Sequence, residues 1–236
     1  MLEELDLPYE LHLVNIGEHE QFAPAFLKLS PNNKIPAIVD RGAEGGPLAV
    51  FESGAILTYL ADKTGKLLAR SGHERYEAIE WMHWSIGGLG PMLGQLVFFA
   101  FRSEQKMHAA VNRFTLEADR LLGVLDRRLA SSRYLGGDDY SIADIAACTW
   151  ALAATTTLGE VLSDGLDTKP ALHRWLELVG SRPAVQRGIN IPAGLSPLAG
   201  KRATEVHALP EPATVLSQHT TNKAISLDPA RRESAR

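Results

Sequence analysis

The sequence predicts a two-part chain, a mixed α/β unit followed by an all-α unit, and three observations predict it. Over roughly the first 65 residues, short runs of period two alternate with short runs of helical period. From about His73 to Val185 only the helical period remains. Beyond about Gly194 periodicity stops altogether and Pro, Ser, Thr and charged residues take over. The boundaries drawn from these shifts are 1–66, 72–193 and a disordered tail over 194–236.

The elements follow in order. Met1 to Leu5 read as the last turns of an apolar-striped helix. In YELHLVNI, Tyr9, Leu11 and Leu13 alternate with polar neighbours, the signature of a half-buried strand. Phe22, Phe26 and Leu29 recur at helical spacing, and SPNNK then supplies a turn. IPAIVD and LAVF read as two strands joined by the turn GAEGG, and ESGAILTYLADKTG as a helix stopped by Gly65. In the second unit Ile79, Met82, Ile86 and Leu89 stripe a helix that GGLGP should bend, through Gly87, Gly88, Gly90 and Pro91. Val111, Phe114, Leu121, Leu125 and Leu129 stripe another. YSIADIAACTWALAA opens on a capping box, Ser141 with Asp144, and PALHRWLELVGSR carries Pro170 in its first turn.

Composition excludes several function classes. A chain of 236 residues with 45% hydrophobic content can fill a core, and a net charge of −4 offers no basic surplus for a phosphate backbone, so nucleic acid is not an expected partner. One cysteine rules out an internal disulfide and a multi-cysteine zinc site, and it fits a reducing compartment, the cytoplasm being the simplest. The eight histidines show no metal-ligand spacing, and His83 and His173 read as packing residues. No stretch approaches the roughly 18 consecutive apolar residues of a membrane span, and the acidic opening LEELD is unlike a secretory leader.

Two stretches bear on chemistry. In NNKIPAIVD, Pro36 fits a trans strand-entry proline or a cis proline that leaves the N–H and C=O of Ile35 free to pair with an extended ligand; on this stretch alone the trans reading is the commoner. In FESGAIL the chain passes directly from strand to helix, so the N–H groups of Ser53 and Gly54 lie at the positive end of a helix dipole, where a carboxylate binds. Glu52 supplies a negative charge suited to an ammonium. Alone, this stretch reads more simply as a Ser N-cap; beside Ile35–Pro36 it outlines a site for a small peptide with a free amino-acid end.

SPNNKIPAIVD, FESGAILTYLADKTG, the GGLGPMLGQ bend and YLGGDDYSIADIA, in this order, together resemble the glutathione transferase superfamily. Within it they resemble most the bacterial Nu-class glutathione-dependent disulfide-bond oxidoreductases and their fungal nitrogen-regulator relatives. The likeness runs from Met1 to about Ala193. It implies a thioredoxin-like, glutathione-binding N-terminal domain, an all-helical C-terminal domain and a homodimer, with glutathione as cosubstrate, a small electrophile or disulfide as second substrate, and no metal, nucleic acid or membrane. By the same resemblance Glu52 and Ser53 hold the γ-glutamyl end of glutathione and the backbone of Ile35, before a cis Pro36, pairs with the cysteinyl unit. Gln21, helped by Lys34, meets the glycyl end, and Arg113 reaches in from the helical domain; on spacing alone Arg113 reads equally as a solvated surface arginine.

The family's donor to the glutathione sulfur sits in a Thr-Pro-Asn loop after the first strand, and no such stretch precedes LEELDLPYE. The expectation is therefore of an in-frame segment upstream that restores this strand and loop, with a non-catalytic binding or regulatory protein, or an inactive truncated form, as the alternatives to a transferase or disulfide-bond oxidoreductase. Cys148, among alanines, reads as a packing residue rather than a substitute nucleophile. Phe98, Phe99 and Phe101 read as core aromatics or as the lining of a second-substrate pocket.

Overall fold

Three hydrophobic clusters organise the chain, whose structure, a computed structural model, describes residues 1–162 and 167–192. The expected tail over 194–236 lies outside the described residues. The N-terminal unit runs α1 (Leu2–Leu5), two 3-10 turns, α2 (Pro24–Leu27), β1 (Ala37–Asp40), β2 (Leu48–Phe51) and α3 (Ser53–Thr64). The helical unit runs α4 (His73–Trp84), α5 (Gly90–Val97), α6 (His108–Ser131), α7 (Ile142–Thr156), α8 (Pro170–Gly180) and α9 (Pro183–Gly188).

In the first unit β1 and β2 form an antiparallel hairpin with Ala37 opposite Phe51 and Asp40 opposite Leu48. The pleat turns Ile38 and Val50 to one side, where they meet buried Leu5, Ile56 and Leu60. Gly65 ends α3 in the left-handed conformation, φ 68°, donating its N–H to the Ala61 carbonyl.

Two local expectations need correction. Tyr9 to Ile16 is not a strand: among the described residues the sheet has two strands, and period two alone builds no ladder without a neighbour to pair with. Tyr9 and Leu11 are accordingly exposed. The Phe22–Leu29 helix is split into a 3-10 turn at Glu20–Phe22 and the single turn of α2, because Pro24 lacks an N–H and holds Ala23 extended at ψ 137°.

The second unit packs α4, α5, α6, α7 and α8 around Leu89, Leu93, Leu96, Leu121, Leu125, Leu135 and Trp175, all buried. The glycine-rich bend is a π-helical turn over Ser85–Leu89, and a second π turn covers Phe98–Arg102. Helical structure is thus continuous from His73 to Arg102, a run of 30 residues whose best window has a mean hydropathy of 1.3 with 28% of it buried. That corrects the expectation that no stretch approaches a span. Leu89, Leu93 and Leu96 nevertheless commit this run to the core of the bundle.

The units join across a third cluster, in which Leu57 and Ala61 of α3 meet Ala78 and Met82 of α4 and Ile142 of α7. Ile142 N–H donates to the Leu67 carbonyl at 3.0 Å. At the opposite end α1 and α9 are latched: Arg182, just before α9, donates to both Glu4 oxygens at 2.7 and 2.8 Å while lying 3.8 Å from the Tyr140 ring centre. Arg187 donates to Glu3 at 2.6 Å.

The capping box is present as expected. Ser141 Oγ accepts from Ala143 N–H, and Asp144 accepts from Ser141 N–H at 2.9 Å. Asp144 also accepts from Leu135 N–H at 2.9 Å and Trp175 Nε1 at 2.8 Å, so one buried carboxylate ties together the α6–α7 loop, α7 and α8. Burial pushes its pKa up, against the pull of these donors.

Candidate functional site

The hairpin register brings four of the expected residues to one place. The ladder ends at Ala37 opposite Phe51, so Ile35–Pro36 on one strand and Glu52–Ser53 on the other leave the same end side by side. The Ile35–Pro36 peptide is cis. Ile35 is half exposed, and its N–H and C=O engage no hydrogen bond among the described residues. They form a short free edge that an extended peptide can pair with.

The N-cap of α3 is Glu52 rather than Ser53, a shift of one from the expectation. Glu52 has φ 69° and ψ 121°, a left-handed conformation rare for a residue of its size, and its carbonyl accepts the first helical bond, from Ile56 N–H at 2.9 Å. Among the described residues no side chain caps the helix. The N–H groups of Ser53 and Gly54 are therefore left for an anion, at the positive end of a 12-residue helix. Gly54 is required for another reason too: a Cβ there would lie 2.5 Å from Ile86 Cδ1, so the helix start seats directly on the π turn of the second unit.

The loop before Pro36 is fixed by its own bonds. Buried Ser30 donates Oγ to the Lys34 carbonyl at 2.8 Å, Asn33 donates N–H to the Ser30 carbonyl at 2.9 Å, and Asn33 has φ 49°. Between them Asn32 donates Nδ2 to Glu52 Oε1 at 3.2 Å. This bond joins the two arms of the hairpin end, and reading the sequence missed it: the NN doublet carries only a turn signal.

The remaining candidates stand apart. Lys34 is exposed in the same loop. Gln21 lies in the 3-10 turn before α2, with a buried carbonyl oxygen that has no partner among the described residues. Arg113 on α6 is 66% exposed and faces Glu117 at 3.8 Å, the solvated arrangement that spacing alone allowed. Among the described residues no hydrogen bond or ion pair joins Gln21 or Arg113 to Glu52. Phe99 stacks on Phe114 at 5.6 Å and edge-on to Phe98 at 5.1 Å, while Phe98 and Phe101 are each half exposed, so this aromatic group is part packing and part surface.

Cys148 is not poised as a thiolate: burial, reinforced by Asp144, pushes its thiol up to about 12, and its sulfur faces the Ile145 carbonyl at 3.5 Å. Among the described residues no group of three His, Cys, Asp or Glu side chains is arranged to hold a metal. The most evident hollows are elsewhere, one of about 400 Å³ beside Arg133 and Arg174 and one of about 230 Å³ beside Thr155 and His173. In the first, Arg174 is already spent on the Leu129 and Ser132 carbonyls at the end of α6. The hairpin end, by contrast, offers unspent backbone groups at Ile35 and at the start of α3, and its chemistry favours it over either hollow.

Residues 1–63 match the family model for the glutathione S-transferase N-terminal domain, and residues 90–183 the model for its C-terminal domain. The chain is 47% identical over 190 residues to the disulfide-bond oxidoreductase YfcG of Escherichia coli, covering 80% of this chain and 86% of that one. It is 41% identical over 199 residues to the disulfide-bond oxidoreductase YghU of the same organism, covering 80% and 68%. A crystal structure of a Burkholderia graminis glutathione transferase, with two glutathione molecules bound per subunit, superposes with a TM-score of 0.77 at 46% identity, covering 81% of each chain. One from Pseudomonas putida, with one glutathione disulfide bound per subunit, gives a TM-score of 0.77 at 42% identity, covering 81% and 84%.

Proposed function

Because this chain belongs to the glutathione S-transferase family, with a thioredoxin-like N-terminal domain and a helical C-terminal domain, we propose that it binds glutathione at the hairpin end and uses the glutathione thiolate for disulfide-bond reduction or transfer. The observation that carries this reading is the register that sets the free Ile35 edge beside the uncapped start of α3. Glutathione matches that pair of features. The N–H groups of Ser53 and Gly54 take the α-carboxylate of its γ-glutamyl end, Glu52 faces the ammonium, and the Ile35 backbone pairs with the cysteinyl amide. Gln21 and Lys34 on the glycyl carboxylate, and Arg113 from the helical side, complete the proposed contacts.

The protein's own thiol takes no part, because a group titrating at about 12 is almost wholly neutral at pH 7. In disulfide reduction the attacking sulfur is then that of bound glutathione: its thiolate displaces one sulfur of the substrate disulfide, and a second glutathione resolves the mixed disulfide. A small electrophile in place of the disulfide gives conjugation. In this reading the protein works in the cytoplasm, where glutathione is kept reduced, and needs neither metal, membrane nor nucleic acid.

The proposed assembly is a homodimer. The outer face of the long helical run carries Tyr76, 65% exposed, and Gly87 and Gly88, whose added Cβ atoms would meet nothing within 4 Å, room for a second copy to approach closely. Light scattering should report twice the 25.7 kDa subunit mass.

Retention on immobilised glutathione tests the site. We expect retention by the wild type and a loss of at least about tenfold in affinity for Glu52→Ala, the cost of a charge-assisted contact. Turnover of a small mixed disulfide with glutathione tests catalysis; retention without turnover supports a binding protein instead.

A further inference from the structure

Glu52 carries the negative charge that the proposed site needs, yet it is an exposed side chain with several free torsions, and an unheld carboxylate of that kind is a poor recogniser. One bond holds it. Asn32 donates Nδ2 to Glu52 Oε1 at 3.2 Å across a sequence separation of 20. The orientation of the Asn32 amide follows from chemistry, since an ionised carboxylate only accepts and the amino group must be the side that faces it. Asn32 is itself anchored, because the turn around it is closed by Ser30 Oγ to the Lys34 carbonyl at 2.8 Å and by Asn33 N–H to the Ser30 carbonyl at 2.9 Å.

We propose that Asn32 is a positioning residue for glutathione: it holds the Glu52 carboxylate so that its remaining lone pairs meet the α-ammonium of the γ-glutamyl end, and thereby sets the preference for ligands that carry this ammonium. The proposal rests on the glutathione reading of the hairpin end and names what makes that site selective. With Oε1 engaged by Asn32, Glu52 offers Oε2 to the ligand. The same bond fixes the spacing between the arm bearing Glu52 and the arm bearing Ile35, so the γ-glutamyl and cysteinyl units are read at a set distance. No proton changes hands.

The test compares glutathione with its analogue lacking the α-amino group, glutaryl-cysteinyl-glycine, by calorimetric titration of the full chain. Wild type should prefer glutathione. Asn32→Ala should weaken glutathione binding about 3–10-fold, leave the analogue within about twofold, and raise KM with little change in kcat in any turnover assay. Asn32→Asp, which cannot donate to Glu52, should likewise weaken glutathione binding at pH 7. In a Glu52→Gln background, Asn32→Ala should lose most of its effect on the preference. Equal weakening of both ligands by Asn32→Ala, or no change in either, overturns the assignment of Asn32 while leaving the glutathione site standing. A wild-type protein that binds neither ligand overturns the reading of the site itself. Both Asn32 variants change an exposed side chain, and an unaltered melting temperature confirms that they fold.

Discussion

Asp144 shows how much one side chain can hold. Asp144→Ala removes the acceptor for Leu135 N–H, Ser141 N–H and Trp175 Nε1, leaving three buried donors unpaired, and should cost about 3–5 kcal/mol in urea unfolding. Cys148 illustrates the opposite case, a residue whose type suggests chemistry and whose place removes it. Its thiol should stay unreactive toward an aromatic disulfide reagent at pH 8 until the chain is unfolded, and Cys148→Ala should leave glutathione-dependent turnover unchanged. Asp40 is a third: Tyr59 and Lys63 both donate to it and hold its carboxyl down to about 2. A carboxylate depressed in the fold contributes stability that is complete above its ordinary value near 3.8 and is lost as pH falls toward about 2. Melting temperature should therefore drop over that window, and Asp40→Asn should flatten this part of the curve.

Elements depend on contacts of another kind. The bend at Ser85–Leu89 leads into Gly90, where a Cβ would lie 2.7 Å from Trp150 Nε1 and 2.9 Å from Cε2. An indole ring cannot give way as a flexible chain end can, so Gly90→Ala should destabilise by about 1–3 kcal/mol despite alanine's better helix propensity, read as a shift in denaturation midpoint. The latch between α1 and α9 is a second such contact. Glu4 is only 7% exposed in its side chain, so Arg182→Ala strands a nearly buried carboxylate and removes the cover over Tyr140. Because Arg182 itself is 31% exposed, the loss should fall at about 2–3 kcal/mol, below that of a fully buried pair, measurable by thermal unfolding.

At the scale of the whole molecule, what was legible in the sequence divides along physical lines. The helices of the second unit could be read because an apolar stripe over many residues leaves few alternatives, and Ser141–Asp144 because a capping box is local. The hairpin end could be read for Ile35, Pro36, Glu52 and Ser53, each marked by a proline or by a strand running into a helix. Tyr9–Ile16 misled because a strand is a property of a pair, and period two reports only one member of it. Asn32, Arg182 and Asp40 act through partners 20, 178 and 23 positions away, and no local pattern announces such a bond. The bend in the long helical run was legible from its glycines, whereas the residue it had to clear, Trp150, was not.

The separation of Glu4 from Arg182 carries a consequence for the order in which the chain assembles during synthesis. At roughly 5–20 residues per second, a ribosome needs about 9–36 s to extend the chain across those 178 positions. For that interval α1 has emerged without its clasp, while α4, α5 and α6 can already pack on one another. The contact between α1 and α9 is thus among the last to form, although Leu5 can already pack on Ile56 and Leu60, and nascent chains stalled short of Arg182 should be cut more readily within Leu2–Leu5 than the finished chain.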